Sequence, residues 1–393
     1  FPVRRVGGEL DNRFIAIANI ESRDPEQVRV GNERVIRPRF ADARFFWEQD
    51  IKQPLESLFP RLESVVFQER LGTLADKSRR VAVLAGSLAD RTGAVAAQVQ
   101  RAARLAKCDL VSTMVYEFPS LQGTMGRYYA AHAGEDASIS AAMEEQYRPR
   151  FATDSLPQSQ CGRILGLADR LDTLVGIFGI GERPTGTKDP YGLRRASIAV
   201  LRVLIETPLD LDLEAILREA ASGFPESVLA PGTVPTVLAY MLDRLPGYYQ
   251  ERGIPEDRVE SVLAIGETNP RRLDQRVRAV HRFSQLPAAG SLAAANKRIR
   301  NLIEKGETAE SARRGPDPAL FESATEQRLW QRLQALTREI GPLLERDEFN
   351  GALERLAELR VDVDAFFEGV MVMVENPTLR GNRRALLRRV LAL

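Results

Sequence analysis

Carboxylates on two apolar stretches are the side chains of this sequence whose spacing could support chemistry. The run CDLVSTMVYEFPSLQGTMGRYYA (108–130) contains Asp109 and Glu117, and the run ADRLDTLVGIFGIG (168–181) contains Asp169 and Asp172. Carboxylates three or four residues apart on a helix lie on the same face of that helix. When such a face points into a helical bundle, its oxygens can hold a metal ion or act as acid and base.

The same carboxylates also have a structural interpretation, in which they cap helices or pair with Arg127, Arg170 and Arg194. The sequence has only two histidines, His132 and His281, which argues against a catalytic triad or a histidine-rich metal site. No Walker loop is present, and the GxG at 179–181 follows a helical pattern rather than a strand. Carboxylates alone could hold Mg²⁺, which prefers oxygen ligands, but nothing else in the sequence requires it.

The composition is that of a globular protein without an overall electrostatic bias. A length of 393 residues exceeds the ~250–300 at which single cores stop growing, and this predicts two or three domains. The net charge of +1 points to neither nucleic acid nor membrane, and no apolar run reaches the ~18 residues of a membrane span. Cys108 and Cys161 lack CxxC spacing, which favours a reducing cytosol over a zinc site or a disulfide framework.

The elements that must position these residues are predicted to be helices, except at the start of the chain. Residues 14–20 alternate like a strand, and the turn sequence GGELDN before them predicts a β-hairpin. Pro38 predicts a turn, and a long amphipathic helix is expected from Ala41. Helical spacing continues over 55–74 and over most of 108–205. Because the chain opens without Met inside a strand pattern, we expect it to be a piece of a longer protein.

One loop and two helical segments concentrate positive charge. The loop GERPTGTKDP (181–190) is followed by a helix start with Arg194 and Arg195, which together with Lys188 could bind phosphate. Alternatively, Asp189 caps that helix. Residues 271–300 hold eight Lys or Arg against one acid, and the last helix holds five arginines from Arg380 onward and no acid. Such local surpluses can neutralise several phosphates.

Several runs carry a family resemblance. They are GNERVIRPRFADARFFWEQD, VVFQERLGTLADKSRR, KCDLVSTMVYEFPSLQGTMGRYYA, QYRPRFATDSLP, ADRLDTLVGIFGIG, KDPYGLRRA, ANKRIRNLIEK, LRVDVDAFFEGVMVM and LRGNRRALL. These runs resemble the β subunit of bacterial heterotetrameric glycyl-tRNA synthetase, over essentially all 393 residues.

The resemblance implies a mainly α fold with a short β remnant at the N-terminus. It implies a remnant of an α/β tRNA-contacting domain over 1–50, an HD-like helical domain over 51–215, a helical linker over 216–256, and a DALR-like helical-bundle anticodon-binding domain over 257–393. In HD proteins a His, a His-Asp doublet and a later Asp hold a metal. Here Glu117 and Phe118 stand at the doublet and Asp169 at the later Asp, and because Phe118 cannot ligate a metal, a phosphohydrolase activity is disfavoured.

In this family the α subunit would hold glycine, ATP and Mg²⁺, while the β subunit captures tRNA-Gly in the cytoplasm. We therefore expect no cofactor, no metal and no catalytic residue in this chain, and neither DNA nor a membrane as a partner. A metal-dependent phosphohydrolase and a purely structural scaffold for the α subunit are the alternatives. The candidate anticodon contacts are Arg276, Arg278, Arg282, Asn296, Lys297, Arg298, Arg300, Arg380, Asn382 and Arg383. Lys188, Arg194 and Arg195 are the candidate acceptor-arm contacts.

Overall fold

Helices make up nearly all of the regular structure in residues 1–304 and 315–393, which are the residues that the computed structural model describes. The only strands in these residues form two short antiparallel pairs. This confirms the predicted mainly α fold. The chain divides into unit 1, residues 1–183 and 219–230, and unit 2, residues 184–218 and 231–393. The predicted domain limits at residues 50, 215 and 256 stay predictions.

The N-terminal hairpin lies earlier in the sequence than predicted. Strand β1 (Pro2–Arg4) pairs with strand β2 (Leu10–Phe14), so that Pro2 faces Phe14 and Arg4 faces Leu10. Gly8, in the connecting turn, has a φ of +85°, which side chains with a Cβ rarely adopt. The turn residues therefore connect β1 to β2. The alternating residues 15–20 lie outside any strand.

The first helix, α1 (Pro25–Asp50), is longer than predicted and contains Pro38 instead of starting after it. Asp24 caps its N-terminus by accepting a hydrogen bond from the Gln27 amide. Its only buried residue is Asp50, the last one. The Asp50 carboxylate accepts hydrogen bonds from the Thr113 and Met114 amides at 3.0 and 2.9 Å, and from the Tyr129 hydroxyl at 2.7 Å. The last turn of α1 is thus the part that is fixed to unit 1.

Unit 1 is built around a helix that is buried on nearly all sides, α7 (Gln160–Gly179). Ser159 caps α7, and small residues on it let neighbours approach closely. A second helix, α2 (Leu74–Thr92), packs on α7 and begins with a capping box between Thr73 and Asp76. The helix predicted over 55–74 is instead a 3₁₀ helix followed by a short hairpin. The remaining elements of this unit are the 3₁₀ helices Leu55–Ser64, Cys108–Val111 and Pro119–Leu121, the strands β3 (Val66–Gln68) and β4 (Gly72–Thr73), and the helices α3 (Ala96–Leu105), α4 (Thr113–Glu117), α5 (Thr124–His132) and α6 (Ala137–Glu145).

Unit 2 has a helical core around α15 (Ala324–Glu345). Leu329, Leu333, Leu336 and Ile340 recur at helical spacing on α15 and are buried together with residues of α14 (Pro287–Glu304), α17 (Arg360–Gly369) and α18 (Pro377–Leu391). Ser323 and Glu326 form a capping box at the start of α15. The other helices here are α8 (Leu193–Glu206), α10 (Thr233–Leu242), α11 (Leu245–Gln250), α12 (Glu256–Leu263), α13 (Pro270–Ser284), the 3₁₀ helix Pro318–Leu320 and α16 (Phe349–Ala357), while α9 (Leu213–Ser222) is divided between the units.

Candidate nucleic-acid interface

Asp109 serves as a buried helix cap. Its Oδ2 atom accepts hydrogen bonds from the amides of Gly123 and Gly126, at 2.6 and 3.2 Å, at the start of α5. Burial raises the pKa of Asp109 to about 6, although both amides and the nearby Lys107 act against this rise. A Cβ at Gly126 would lie 3.1 Å from the same oxygen, so the close approach requires glycine there. The capping interpretation is therefore confirmed for this carboxylate.

Asp169 and Asp172 are held by cations from α2 and from the turn that follows α3. The Asp172 carboxylate accepts from Arg80 Nε at 2.7 Å and lies 3.1 Å from Lys77 Nζ. Asp169 Oδ1 lies 3.3 Å from both Lys77 Nζ and Lys107 Nζ. Burial alone would raise the pKa of Asp169, but the two ammonium groups hold it well below its ordinary range. Both carboxylates are thus ion-paired, as the structural interpretation requires.

The arginines predicted as partners of these carboxylates have other roles, which corrects that part of the expectation. Arg127 pairs with Glu144 at 2.9 Å, and Arg170 donates to the carbonyl oxygens of Gln146 and Arg148. Arg194 donates to the Gly186 carbonyl. The true partners, Lys77, Arg80 and Lys107, lie tens of residues away in sequence.

Among the described residues, those at the degenerate HD positions do not supply a set of metal ligands. Glu117 is exposed at the end of α4, whereas the ring of Phe118 packs 6.3 Å from that of Phe46. In the described ranges 1–304 and 315–393, no group of three or more His, Cys, Asp or Glu side chains is arranged to hold a metal ion. Asp169 is surrounded by lysines instead, so the donor set present does not fit a divalent cation.

The basic loop before α8 caps its own helix. The Asp189 carboxylate accepts from the amides of Leu193 and Arg194, at 2.8 and 3.0 Å. Two amides of the first turn that could have bound a phosphate are therefore already occupied, which confirms the capping alternative for Asp189. Lys188 and Arg195 remain exposed beside it.

The cations of α18 are mostly turned into unit 2. Arg383 Nε donates to the fully buried Glu326 at 2.8 Å, and the same guanidinium donates to Glu322 and to the Met371 carbonyl. Asn382 exchanges two hydrogen bonds with the backbone of Asp317. Arg380 donates to the Val374 carbonyl at 3.2 Å. Asn382 and Arg383 are thus buried and bonded within unit 2, unlike the exposed members of the predicted set.

The arginines of α13 fall into two groups. Arg276 pairs with Glu267 at 3.5 Å and covers the ring of Phe349, and Arg278 pairs with Asp274 at 2.8 Å. Arg282 is exposed. Within the described part of the chain, Arg282 forms no ion pair.

Helix α14 presents a group of exposed polar side chains. Ala295 and Ile299 anchor it in the core of unit 2, and this leaves the intervening positions outward. Asn296, Lys297, Arg298 and Arg300 are all exposed. Across residues 1–304 and 315–393 none of their three cations pairs with a carboxylate. The structure therefore groups these four predicted residues on one exposed segment, whereas Lys188, Arg194 and Arg195 lie on a separate loop.

Phe367 is a residue of this surface that the sequence did not single out. The Arg298 guanidinium carbon lies 4.1 Å from the centre of its ring. The adjacent Phe366 is fully buried, so Phe367 points to a different side of α17 and is only partly buried. The available signal was the aromatic pair itself, because neighbours on a helix point about 100° apart and are seldom buried to the same extent. Phe367 is partly buried and packs against the core that encloses Phe366.

No helix among the described residues has the length and apolarity needed to cross a membrane. A family model described as "Glycyl-tRNA synthetase beta subunit" matches residues 1–264, and one described as "DALR anticodon binding domain" matches residues 292–393. The chain is 50% identical over 380 residues to the glycine–tRNA ligase β subunit of Chromohalobacter salexigens, covering 97% of this chain and 55% of that protein. It is 46% identical over 387 residues to the corresponding protein of Pasteurella multocida, covering 98% and 56%. The chain thus spans about half the length of the curated relatives it matches.

Proposed function

The chain belongs to the glycyl-tRNA synthetase β-subunit family, and we propose that it binds tRNA-Gly and positions it for aminoacylation on a partner α subunit. The observation that carries this proposal is a group of exposed cations that have no carboxylate partner within residues 1–304 and 315–393, namely Arg282, Lys297, Arg298 and Arg300. The last three lie within the region that matches an anticodon-binding model. A cation without a carboxylate partner can contact a phosphate without first breaking an ion pair.

In this proposal the ligation chemistry belongs to the α subunit, which holds glycine, ATP and Mg²⁺ in the cytoplasm. This chain contributes by orienting the RNA, because a fixed acceptor end removes much of the entropic barrier to reaction. The exposed Lys188 and Arg195 are proposed as further contacts to the acceptor arm. The HD-like part serves as architecture, which the ion-paired Asp169 and Asp172 support.

Binding of the 393-residue chain to labelled tRNA-Gly over a salt series tests the proposal. Each phosphate contact contributes about 0.7–0.9 to the slope of log K against log salt. We expect the double variant Lys297→Ala/Arg300→Ala to bind more weakly and to lower the magnitude of that slope by about 1.5.

The matched control is Arg346→Ala/Arg355→Ala, which removes the same charge from unit 2. Both of its arginines are exposed but paired, Arg346 with Glu348 and Arg355 with Glu358. We expect this variant to bind nearly as well as the unchanged chain. Absent binding, or equal weakening by both double variants, would contradict the proposal, because the second outcome would show that only net charge matters.

A further inference from the structure

Arg298 and Phe367 form a stacked pair on the exposed side of unit 2. At 4.1 Å from the ring centre, the guanidinium covers the ring of Phe367. Beneath it, the rings of Phe367 and the fully buried Phe366 lie 5.7 Å apart at 77°, which connects the pair to the core. The core therefore supports the ring of Phe367, and the guanidinium of Arg298 packs on that ring.

This pair differs from the other cation–π pairs of residues 1–304 and 315–393. In each of the others the cation also has a carboxylate partner, which satisfies its charge within the protein. Representative pairs are Arg80 with Asp172, Arg104 with Glu56 and Arg276 with Glu267. Arg298 has no such partner in the described residues and is exposed. Within those residues its charge is not paired, and its side chain is open to solvent.

We propose that Arg298 and Phe367 form a stacking platform for an unpaired base of a single-stranded RNA loop. The inference rests on the proposed function and deepens it by separating base contact from phosphate contact. Unstacked RNA bases stack on aromatic rings and on guanidinium planes, and the guanidinium edge can donate to base edges or phosphates at the same time. Because the ring already restrains the guanidinium, less side-chain freedom is lost when the base arrives.

The neighbouring cations complete the geometry that such a loop requires. Lys297 and Arg300 are exposed on the same helix, one before and two after Arg298. Exposed cations of this kind can hold the phosphates on either side of a base without reading it. The platform would therefore set the preference for a particular loop, and Lys297 and Arg300 would set the salt dependence.

The experiment compares Arg298→Lys and Phe367→Leu with Lys297→Ala in the 393-residue chain. Arg298→Lys keeps the charge but removes the planar group, and Phe367→Leu keeps an apolar contact but removes the ring. The ligands are tRNA-Gly, tRNA-Gly with substituted anticodon-loop bases, and tRNA-Gly carrying 2-aminopurine in that loop. Fluorescence of 2-aminopurine falls when the base is stacked, so it reports the contact directly.

We expect both platform variants to bind tRNA-Gly about 5- to 100-fold more weakly, to lose preference over the substituted loops, and to leave 2-aminopurine fluorescence high. Their salt slopes should match that of the unchanged chain, because no phosphate contact is lost. Lys297→Ala should weaken all RNAs alike, lower the slope by about 1 and keep the fluorescence change.

Wild-type affinity and fluorescence in Arg298→Lys would overturn the platform, whatever Phe367→Leu does to stability. If the unchanged chain binds tRNA-Gly and Lys297→Ala weakens it as expected, the proposed function survives that failure. If the unchanged chain binds no tRNA, both proposals fail. Equal loss of affinity for every RNA in Arg298→Lys would assign Arg298 to a phosphate and would also overturn the platform.

Discussion

Replacing Asp109 by Asn tests the idea that unit 1 tolerates a buried charge at the start of α5. The carboxylate is buried, its Oδ2 atom accepts from Gly123 and Gly126, and its Oδ1 atom has no hydrogen-bond partner. Burial raises its pKa to about 6, from 3.8 in a model peptide. Since one pKa unit corresponds to ~1.4 kcal/mol, keeping this group ionised costs about 3 kcal/mol.

The sign of the pH dependence follows from the raised pKa. Between about pH 4 and 6 the folded protein holds a proton on Asp109 that the unfolded chain has released, so stability from this group falls as pH rises. Asn resembles the protonated acid and does not titrate. We expect Asp109→Asn to match the wild-type protein near pH 4 and to be more stable at pH 8, by up to about 3 kcal/mol. Asp109→Ala should cost about 1–2 kcal/mol at pH 4, because it removes the cap.

Asp169→Asn provides a matched control with the opposite sign. Burial alone would raise the pKa of Asp169, but Lys107 and Lys77 lower it below its ordinary range. Its stabilising charge is therefore present above about pH 4 and lost as pH falls further. We expect Asp169→Asn to destabilise unit 1 at pH 8 and progressively less below pH 4.

The assay is urea unfolding followed by circular dichroism at about pH 3, 4, 6 and 8, with midpoints compared at equal slope. The reasoning about Asp109 is refuted if the Asn variant is less stable than wild type at pH 8. It is also refuted if the difference between the two proteins is the same at every pH. The first result would mean that the folded protein stabilises the ionised carboxylate. The second would mean that folding does not shift the pKa of Asp109.

Two further substitutions test the packing of each unit. Arg383→Ala leaves the fully buried Glu326 without its cation, so we expect the free energy of unfolding in urea to fall by about 3–5 kcal/mol. The double variant Arg383→Met/Glu326→Gln should recover most of this loss. A mild effect of the single change would contradict the importance of the pair. Gly176→Ala would place a Cβ 2.9 Å from side-chain atoms of Leu71 and Phe224, which should cost about 1–3 kcal/mol. The control Gly351→Ala meets no atom closer than 3.6 Å and should be neutral or stabilising by up to about 1 kcal/mol; equal losses at both glycines would argue against the close packing.

Local patterns predicted the type of structure but not the partners of charged groups. The helical class and the cap at Asp189 could be predicted because periodicity and caps depend on residues a few positions apart. The partners of Asp172 could not, since Lys77 and Arg80 come from a helix more than 90 residues earlier. Only the packing of α2 on α7 brings those groups together.

Charge density along the sequence also differs from charge density on the surface. The last helix looked like an RNA-binding segment because it has five arginines and no acid. Its residues 382–387 are all buried, and the acids that pair with Arg383 come from about 60 residues earlier. Helix α14 has fewer cations, yet those at 297, 298 and 300 are exposed.

Pro38 shows the limit of a strong local signal. A proline inside a helix removes one backbone hydrogen bond and crowds the carbonyl four residues earlier, which predicted a break. Both Arg34 and Pro38 are exposed, so a water molecule can donate to the Arg34 carbonyl the hydrogen bond that proline cannot supply. The helix therefore continues from Pro25 to Asp50.

The buried attachment of α1 is concentrated at its last residue, Asp50. Twenty-five residues of α1 precede Asp50, the one residue of this helix that is buried. Asp50 joins the start of α4 to the second half of α5 by accepting hydrogen bonds from Thr113, Met114 and Tyr129. The ring of Trp47 stacks on Tyr129 at 5.4 Å and stiffens the same joint. The orientation of α1 is therefore set by contacts that also fix the N-terminus of α4 and the second half of α5.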